Sequence, residues 1–515
     1  MRRILLLLLP FVAIADTYPR QAGVDAIHYR FQLEFTDASD EIQGEAAIQV
    51  RLAPGVSTVV LDLNQAMTVD SVTGGSSFAH QNDQLRIALE PGISTFAVKY
   101  HGKPVAGMRI MKNKYNDRVF FSENWPNKAR HWLPMIDHPY DKATSEFVIT
   151  APQKYQVVAN GLLQEEVDLG DGRKLTHWKQ SVPIASWLNA VGIAEFAVHY
   201  AGPVKGVELQ TWVYRQDRAA GPPWFEPTSR GALDFFGENI GPYPYEKLAN
   251  IVAAGFGGGT EHASAIFYGE NNVLERPGTS LIAHEIAHQW FGNAVTETDW
   301  DDVWLSEGFA TYFTLLFIEH SQGRDAFVAG LQDSRRRIFA LEKAQPGLTI
   351  RHQNLADMKR VLNQLIYQKG GWTLHMLRSM IGNEVFWQGI REYYRAYRDR
   401  NATTADFQRI MEAVSGRQLG WFFDQWLNRA GTPQIKLSWT YDASAKKLRA
   451  TVEQSQKELY RLPLELQIGA RVEPFELTER SQTLVFETEK EPQAVVLDPG
   501  LKVLMNATVT TARVP

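Results

Sequence analysis

His284-Glu285-Ile286-Ala287-His288 is followed, after eighteen intervening residues, by Glu307 in Trp304-Leu305-Ser306-Glu307-Gly308. Two histidines four apart share one face of an α-helix, about 6 Å apart along its axis, so both imidazoles can converge on one ion. His284, His288 and Glu307 are a ligand set suited to zinc. Three protein ligands leave a fourth position open, as catalytic zinc requires, whereas structural sites are closed and usually rich in cysteine. The chain has no cysteine. Such an ion would make a bound water acidic, and Glu285, lying between the two histidines, is placed to take its proton as general base. This is the chemistry of peptide-bond hydrolysis, and the residues alone leave open whether a cut falls inside a peptide or at its end.

The elements that must carry these groups are readable around them. Leu281 to Phe291 has the apolar neighbours of a helix, and Gly308-Phe309-Ala310-Thr311-Tyr312-Phe313 continues a second one from Glu307. From about Val204 to Ala430 the periodicity predicts helices over 229–241, 279–295, 306–321, 325–343, 361–381, 383–400 and 404–430. Before this, from Tyr29 to about Tyr200, period-two segments such as Ala46-Ala47-Ile48-Gln49-Val50-Arg51-Leu52 alternate with Gly, Pro and Asp turns. After Gly431-Thr432-Pro433 the alternation returns, as in Leu464-Glu465-Leu466-Gln467-Ile468. The expected organisation is a multidomain α+β protein: a β domain over 16–203, the metal-binding domain over 204–430 and a small β-sandwich over 431–515.

A length of 515 residues allows about three domains. The net charge of -5, from 53 basic and 58 acidic residues, gives no bulk attraction to nucleic acid or to anionic membrane. Residues 1–15 have the basic, apolar and small-residue order of a secretory signal peptide, which places the mature start at Asp16. Without cysteine there is no disulfide framework and no lipid-modified N-terminal cysteine. A secreted or periplasmic, monomeric product without a stable membrane anchor is the expectation.

The stretch from His284 through Gln289-Trp290-Phe291-Gly292-Asn293, the gap, and Leu305 to Ala310 resemble, almost position by position, the metal motif of the zinc aminopeptidases of the aminopeptidase N and leukotriene-hydrolase family. Gly241-Pro242-Tyr243-Pro244-Tyr245-Glu246-Lys247-Leu248 resembles that family's lead-in to its substrate loop. The resemblance implies an N-terminal β-saddle, a thermolysin-like (gluzincin) catalytic domain with one catalytic zinc, and a C-terminal β-sandwich. It also implies removal of N-terminal residues from peptides with a free N-terminus. The chain stops after the β-sandwich region, so the long helical C-terminal domain of many relatives, and the lipid-epoxide hydrolysis that depends on it, are not expected.

Further site residues follow from the same likeness. The family's Gly-x-Met-Glu-Asn loop stands here as Gly258-Gly259-Thr260-Glu261-His262, 23 residues before His284 at its glutamate. The resemblance gives Glu261 the grip on the substrate's α-ammonium, with Gly258 and Gly259 letting the loop run beside the peptide as a strand edge. Tyr367, in Tyr367-Gln368-Lys369-Gly370-Gly371, is similar to the tyrosine that stabilises the tetrahedral oxyanion. Ser122 to Arg130 resembles the segment that reaches into the active site, but Glu123 stands where relatives often have Gln and Trp125 where many have a second amine-binding Glu. Either Glu123 supplies that carboxylate, or Glu261 holds the amine with Trp125 offering a cation-π face. Asp299, Asp301 and Asp302 either hold the second ring nitrogen of a ligand histidine or form a solvated acidic turn. Two other functions compete: a zinc endopeptidase with the same metal chemistry, and an inactive peptide-binding protein, which would be expected to have lost a ligand or the base.

Overall fold

The computed structural model describes residues 16–89, 94–271 and 278–511. Residues 1–15, expected to be a signal peptide, lie outside them. Alternating apolar residues build the first half as sheet. In Ile42–Leu52, Ile42, Ala46, Ile48 and Val50 are buried, and the strand pairs antiparallel with both Val24–Glu34 and Thr95–Gly102. These strands belong to a seven-stranded sheet in which Val24–Glu34 also pairs in parallel with Lys142–Pro152. Phe31 stacks on Phe147 across that parallel pair at 5.3 Å. A four-stranded and a three-stranded sheet complete this β-rich half.

The region expected to be helical also contains four strands of a five-stranded sheet, whose first strand belongs to the region expected to be β. In space its strands run Phe196–Val204, Val207–Tyr214, Lys247–Ala253, Ala265–Gly269 and Gly259–Thr260. Every residue of Lys247–Ala253 and of Ala265–Gly269 is buried, so neither strand shows the alternation that marks a half-exposed strand. Gly259–Thr260 is the edge, antiparallel to Ala265–Gly269.

Eight helices are assigned among the described residues: α1 Gly221–Asn239, α2 Thr279–His288, α3 Trp304–Gln322, α4 Arg324–Ala344, α5 Gln364–Ile381, α6 Asn383–Tyr397, α7 Thr404–Ser415 and α8 Gly420–Phe423. Three differ from the periodicity reading. α2 ends at His288 rather than at Val295, because Asn293 to Val295 reach back five residues and the chain turns at Gly292, whose φ is 112°. The last expected helix is broken at Gly416, a left-handed C-cap that follows the capping box of Thr403 and Asp406. α1 begins eight residues early and tolerates Pro227 inside its first turns.

α3 and α5 pack together through glycines. A Cβ on Gly308 would stand 3.0 Å from Gly370 Cα, and this close approach carries Tyr367 on α5 to the first turn of α3, where Glu307 sits. The C-terminal region has a four-stranded and a three-stranded sheet. Leu437, Trp439, Leu448 and Val452 on one and Leu462, Leu464, Leu466 and Ile468 on the other are buried. Among the described residues no helix is long and apolar enough to cross a membrane.

Candidate active site

α2 aims both histidines at Glu307 on α3. His284 Nε2 and His288 Nε2 are 3.1 Å apart, and each lies 3.4 and 3.3 Å, respectively, from Glu307 Oε2. Three ligands about 2.0–2.1 Å from a tetrahedral ion would be separated by about 3.3 Å, so this triangle fits zinc. Glu307 Oε2 is buried and accepts no hydrogen bond, which leaves its lone pairs for an ion. Oε1 of the same carboxylate accepts the Tyr367 hydroxyl at 2.9 Å. Burial works against ionised Glu307, but His288 and His284 outweigh it and hold the carboxyl down at about 2.

His288 is fixed from behind by Ser306 Oγ at 3.1 Å and by the Phe291 carbonyl at 3.3 Å from Nδ1. The expectation that Asp299, Asp301 or Asp302 does this is corrected. Asp301 accepts the backbone N–H of Asn354 and Leu355, Asp302 binds Arg351 and Thr404, and Asp299 caps Asp301 N and pairs with Arg20. Gly292 makes room for the Ser306 contact, since a Cβ there would come within 2.3 Å of Ser306 Oγ. Ser306 was legible only as the residue beside Glu307, because a serine in that position signals nothing by type.

Glu285 lies in the same cavity, against the edge strand. A Cβ on Gly259 would lie 2.4 Å from its Cγ, Cδ and Oε1, so this position is glycine for reasons of space. Glu261, next on the loop, shares the cavity: one oxygen each from Glu261 and Glu285 and one nitrogen of His288 lie within 4.8 Å of one another. Burial raises the Glu285 carboxyl well above the usual range, reinforced by Glu261. Burial also raises Glu261, with His288 opposing and Glu307 adding to the shift. For His288, burial favours the neutral ring, yet Glu261, Glu307 and Glu285 together push it up to about 10. Burial, then Glu307, pushes the Tyr367 phenol well up, so it stays protonated as a donor.

The backbone of Glu261 is held by residues that sequence reasoning passed over. Its carbonyl accepts Gln289 Nε2 at 3.0 Å and Asn293 Nδ2 at 2.5 Å, and Ser264 N donates to Gln289 Oε1 at 2.9 Å. Both lie within the quoted motif, but their partner is distant in sequence. His262 is fully buried with neither ring nitrogen hydrogen-bonded, packs on Phe267 at 4.8 Å, and is pushed down by burial to about 3, so it is a neutral ring.

Glu123 and Trp125 both line the cavity, a space of about 310 Å³ that also holds Glu261, Glu285, the metal ligands, Tyr367 and the side chains of Leu281 and Leu362. Glu123 is already paired. One of its oxygens takes Lys128 Nζ at 2.5 Å and Arg109 at 3.3 Å. Trp125 meets Trp187 and Trp300 edge-to-face at 4.6 and 4.7 Å. No Lys or Arg pairs with Glu261 among the described residues.

Known proteins resemble the chain over both halves. Residues 25–188 match the Peptidase M1 N-terminal domain and residues 227–426 the Peptidase family M1 domain. Glutamyl aminopeptidase of Sus scrofa is 28% identical over 332 residues, 61% of this chain and 35% of the relative. Leucyl aminopeptidase of Saccharolobus solfataricus is 25% identical over 496 residues, 90% of this chain and 61% of the relative. The chain thus spans between about a third and three fifths of the length of these relatives. The crystal structure of Legionella pneumophila aminopeptidase A in complex with aspartic acid superposes with a TM-score of 0.81 at 17% identity, over 96% of this chain and 60% of that one, and so shares the fold. With both M1 models matched in order and the HExxH helix, Glu307 and Tyr367 drawn into one cavity, the chain belongs to the peptidase M1 family.

Proposed function

We propose that this protein is a zinc-dependent aminopeptidase that removes residues from the free N-terminus of peptides. The observation that carries the reading is Glu261. A buried carboxylate that no Lys or Arg pairs with among the described residues, in one cavity with a metal triad and a base, is a receptor for a positive charge on the substrate. Burial and Glu307 both disfavour its ionised form, and an α-ammonium at hydrogen-bond distance would reverse that. A blocked N-terminus leaves the carboxylate unpaired and is rejected. The relatives' aminopeptidase names agree with this.

His284, His288 and Glu307 would hold the zinc, with Ser306 and the Phe291 carbonyl orienting His288. Bound there, zinc supplies Lewis acidity, which makes water acidic near neutral pH and polarises a carbonyl. Glu285, whose carboxyl is raised by burial, accepts the proton of the attacking water on its carboxylate oxygen and returns it to the leaving nitrogen. Tyr367 keeps its proton and turns its hydroxyl from Glu307 Oε1 to the oxyanion. Gly258, where a Cβ would meet no heavy atom within 4 Å, leaves room for an extended peptide along the edge strand, and Gly259 beside it makes room for Glu285. Glu123, tied to Lys128 and Arg109, plays at most a secondary part in amine binding. The division into units at 203/204 and 430/431, monomeric action, and export guided by residues 1–15 belong to the same reading.

The test is product analysis by mass spectrometry of one short peptide with a free and with an acetylated N-terminus. Stepwise loss of single residues from the free form alone is the expected result. Internal cuts in both forms would move the assignment to an endopeptidase, and an uncut free peptide would overturn hydrolysis altogether.

A further inference from the structure

We propose that Lys142 is a positioning residue for the amine site, acting from the N-terminal sheet through the turn after α2 on the backbone of Glu261; the proposal rests on Glu261 as the ammonium-binding carboxylate. Lys142 opens the strand Lys142–Pro152, more than a hundred residues from the metal motif. Its Nζ donates to Asn293 O at 3.0 Å, Ala294 O at 2.9 Å and Thr296 Oγ1 at 3.0 Å. The protonated amine has three protons to give, and three acceptors in a single turn take them; burial lowers Lys142 to about 7 against the pull of Asp399 and Glu297, so this fully donating form prevails below that pH. The turn directly follows the metal-binding helix: Asn293 N donates to His288 O at 3.0 Å, and Thr296 Oγ1 to Asn293 O at 2.8 Å. Carbonyls just beyond a helix C-terminus carry its negative end, where a cation is favoured.

The turn passes the constraint on. Asn293 Nδ2 donates to the Glu261 carbonyl at 2.5 Å, beside Gln289 Nε2 at 3.0 Å. Hydrogen bonds therefore run without interruption from a strand of the N-terminal sheet, through the turn, to the substrate loop. Their end is the backbone of Glu261, and neither Glu285 nor Tyr367 lies on that path. Removing the ammonium takes the Lys142 donor from the Ala294 carbonyl and the Thr296 hydroxyl and leaves Asn293 O with Thr296 Oγ1 alone, and the turn relaxes toward other partners. The carboxamide of Asn293 shifts with it, and Glu261 loses its fixed position, so the loss falls on binding of the free amine.

Lys142→Met, Asn293→Ala and the double variant, each in the full zinc-loaded chain, test this by steady-state kinetics on a peptide with a free N-terminus. Each single change is expected to raise KM roughly tenfold, the scale of one lost charged or buried hydrogen bond, with kcat within about twofold and zinc content unchanged. The double variant should be no worse than the more impaired single one, because both cut the same path. An unchanged KM in folded Lys142→Met, a fall in kcat with KM unmoved, or additive effects in the double variant would each overturn the proposal. If Lys142→Met does not fold, Thr296→Val keeps the ammonium and removes one acceptor; KM must rise there too, and an unchanged value overturns the proposal equally. An inactive wild type sinks the aminopeptidase reading, whereas an active wild type whose KM ignores these changes sinks this proposal alone.

Discussion

Gly259→Ala is the smallest change that should separate chemistry from folding. The added methyl would lie 2.4 Å from Cγ, Cδ and Oε1 of Glu285, against about 3.5–4.0 Å for an ordinary carbon contact. Gly259 is half-buried, its φ lies outside the left-handed region, and the two-residue edge strand can keep its pairing with Ala265–Gly269. The cheaper adjustment is for the flexible Glu285 side chain to swing away by about 1 Å or more. A displacement of that size at a reacting group costs on the order of 10²-fold in rate, or about 2.7 kcal/mol of transition-state stabilisation. The expected result is a roughly hundredfold fall in kcat with zinc content retained and the thermal midpoint moved by only a few degrees. Gly257→Ala, where a methyl meets no heavy atom within 4 Å, is the control and should stay near wild type in both. A Gly259→Ala enzyme with kcat within about threefold of wild type would refute the placement of Glu285 as the proton-transfer group, since that group would then tolerate displacement.

Glu285→Gln should bind zinc as wild type does yet lose at least about 10³-fold in kcat, measured on metal-loaded protein; residual turnover near wild type would remove Glu285 from the mechanism. Tyr367→Phe deletes one oxyanion donor and should lower kcat by about 10²–10³-fold with KM changed far less, and an effect on KM alone would refute that role. Zinc uptake should be pH-dependent in a defined direction. His288 in the metal-free protein keeps its proton up to about 10, and zinc needs the neutral ring, so protons compete and apparent affinity should climb as pH rises through neutrality toward that value. Calorimetry in buffers of differing ionisation enthalpy should detect at least one proton released per zinc at pH 7, since zinc also opposes the protons held by Glu285 and Glu261; uptake without proton release would contradict the coupling of His288 to its three carboxylates.

What was legible in the sequence was whatever chemistry writes locally. Helical spacing placed His284, Glu285 and His288, and the apolar run beyond Glu307 marked the second helix. The half-exposed strands announced themselves by alternation. The parallel strands of the five-stranded sheet did not, because Leu248, Ile251 and Val252 are buried on both faces and leave no period to read. The π-helical turn Asp424–Asn428 read as ordinary helix because its amphipathic pattern is nearly the same. Support of the site was the least legible. Ser306, Gln289, Asn293 and Lys142 act on partners fixed only by the fold, and pairing of Glu123 with Arg109 and Lys128 depends on how the chain folds back between residues 109 and 128.

The departures at Glu123 and Trp125 in the Ser122–Arg130 segment make sense as a problem in charge. Glu261, Glu285 and Glu307 bring three carboxylates into one buried cavity, where the protonated His288 ring opposes them while burial keeps His284 neutral. A divalent ion and one ammonium carry three positive charges, which matches that number. Protons compete for the same positions: burial and mutual repulsion raise Glu261 and Glu285, and the three carboxylates raise His288. A fourth unpaired carboxylate would leave the cavity one charge in excess and draw a further proton. At Glu123 the excess is cancelled by Lys128 and Arg109, and at 125 a tryptophan clamped by Trp187 and Trp300 presents ring rather than charge. Under the proposed function Glu261, once ionised, is reserved for the substrate's own cation, which would tie recognition of a free N-terminus to the same electrostatic balance that readies Glu285 to take a proton.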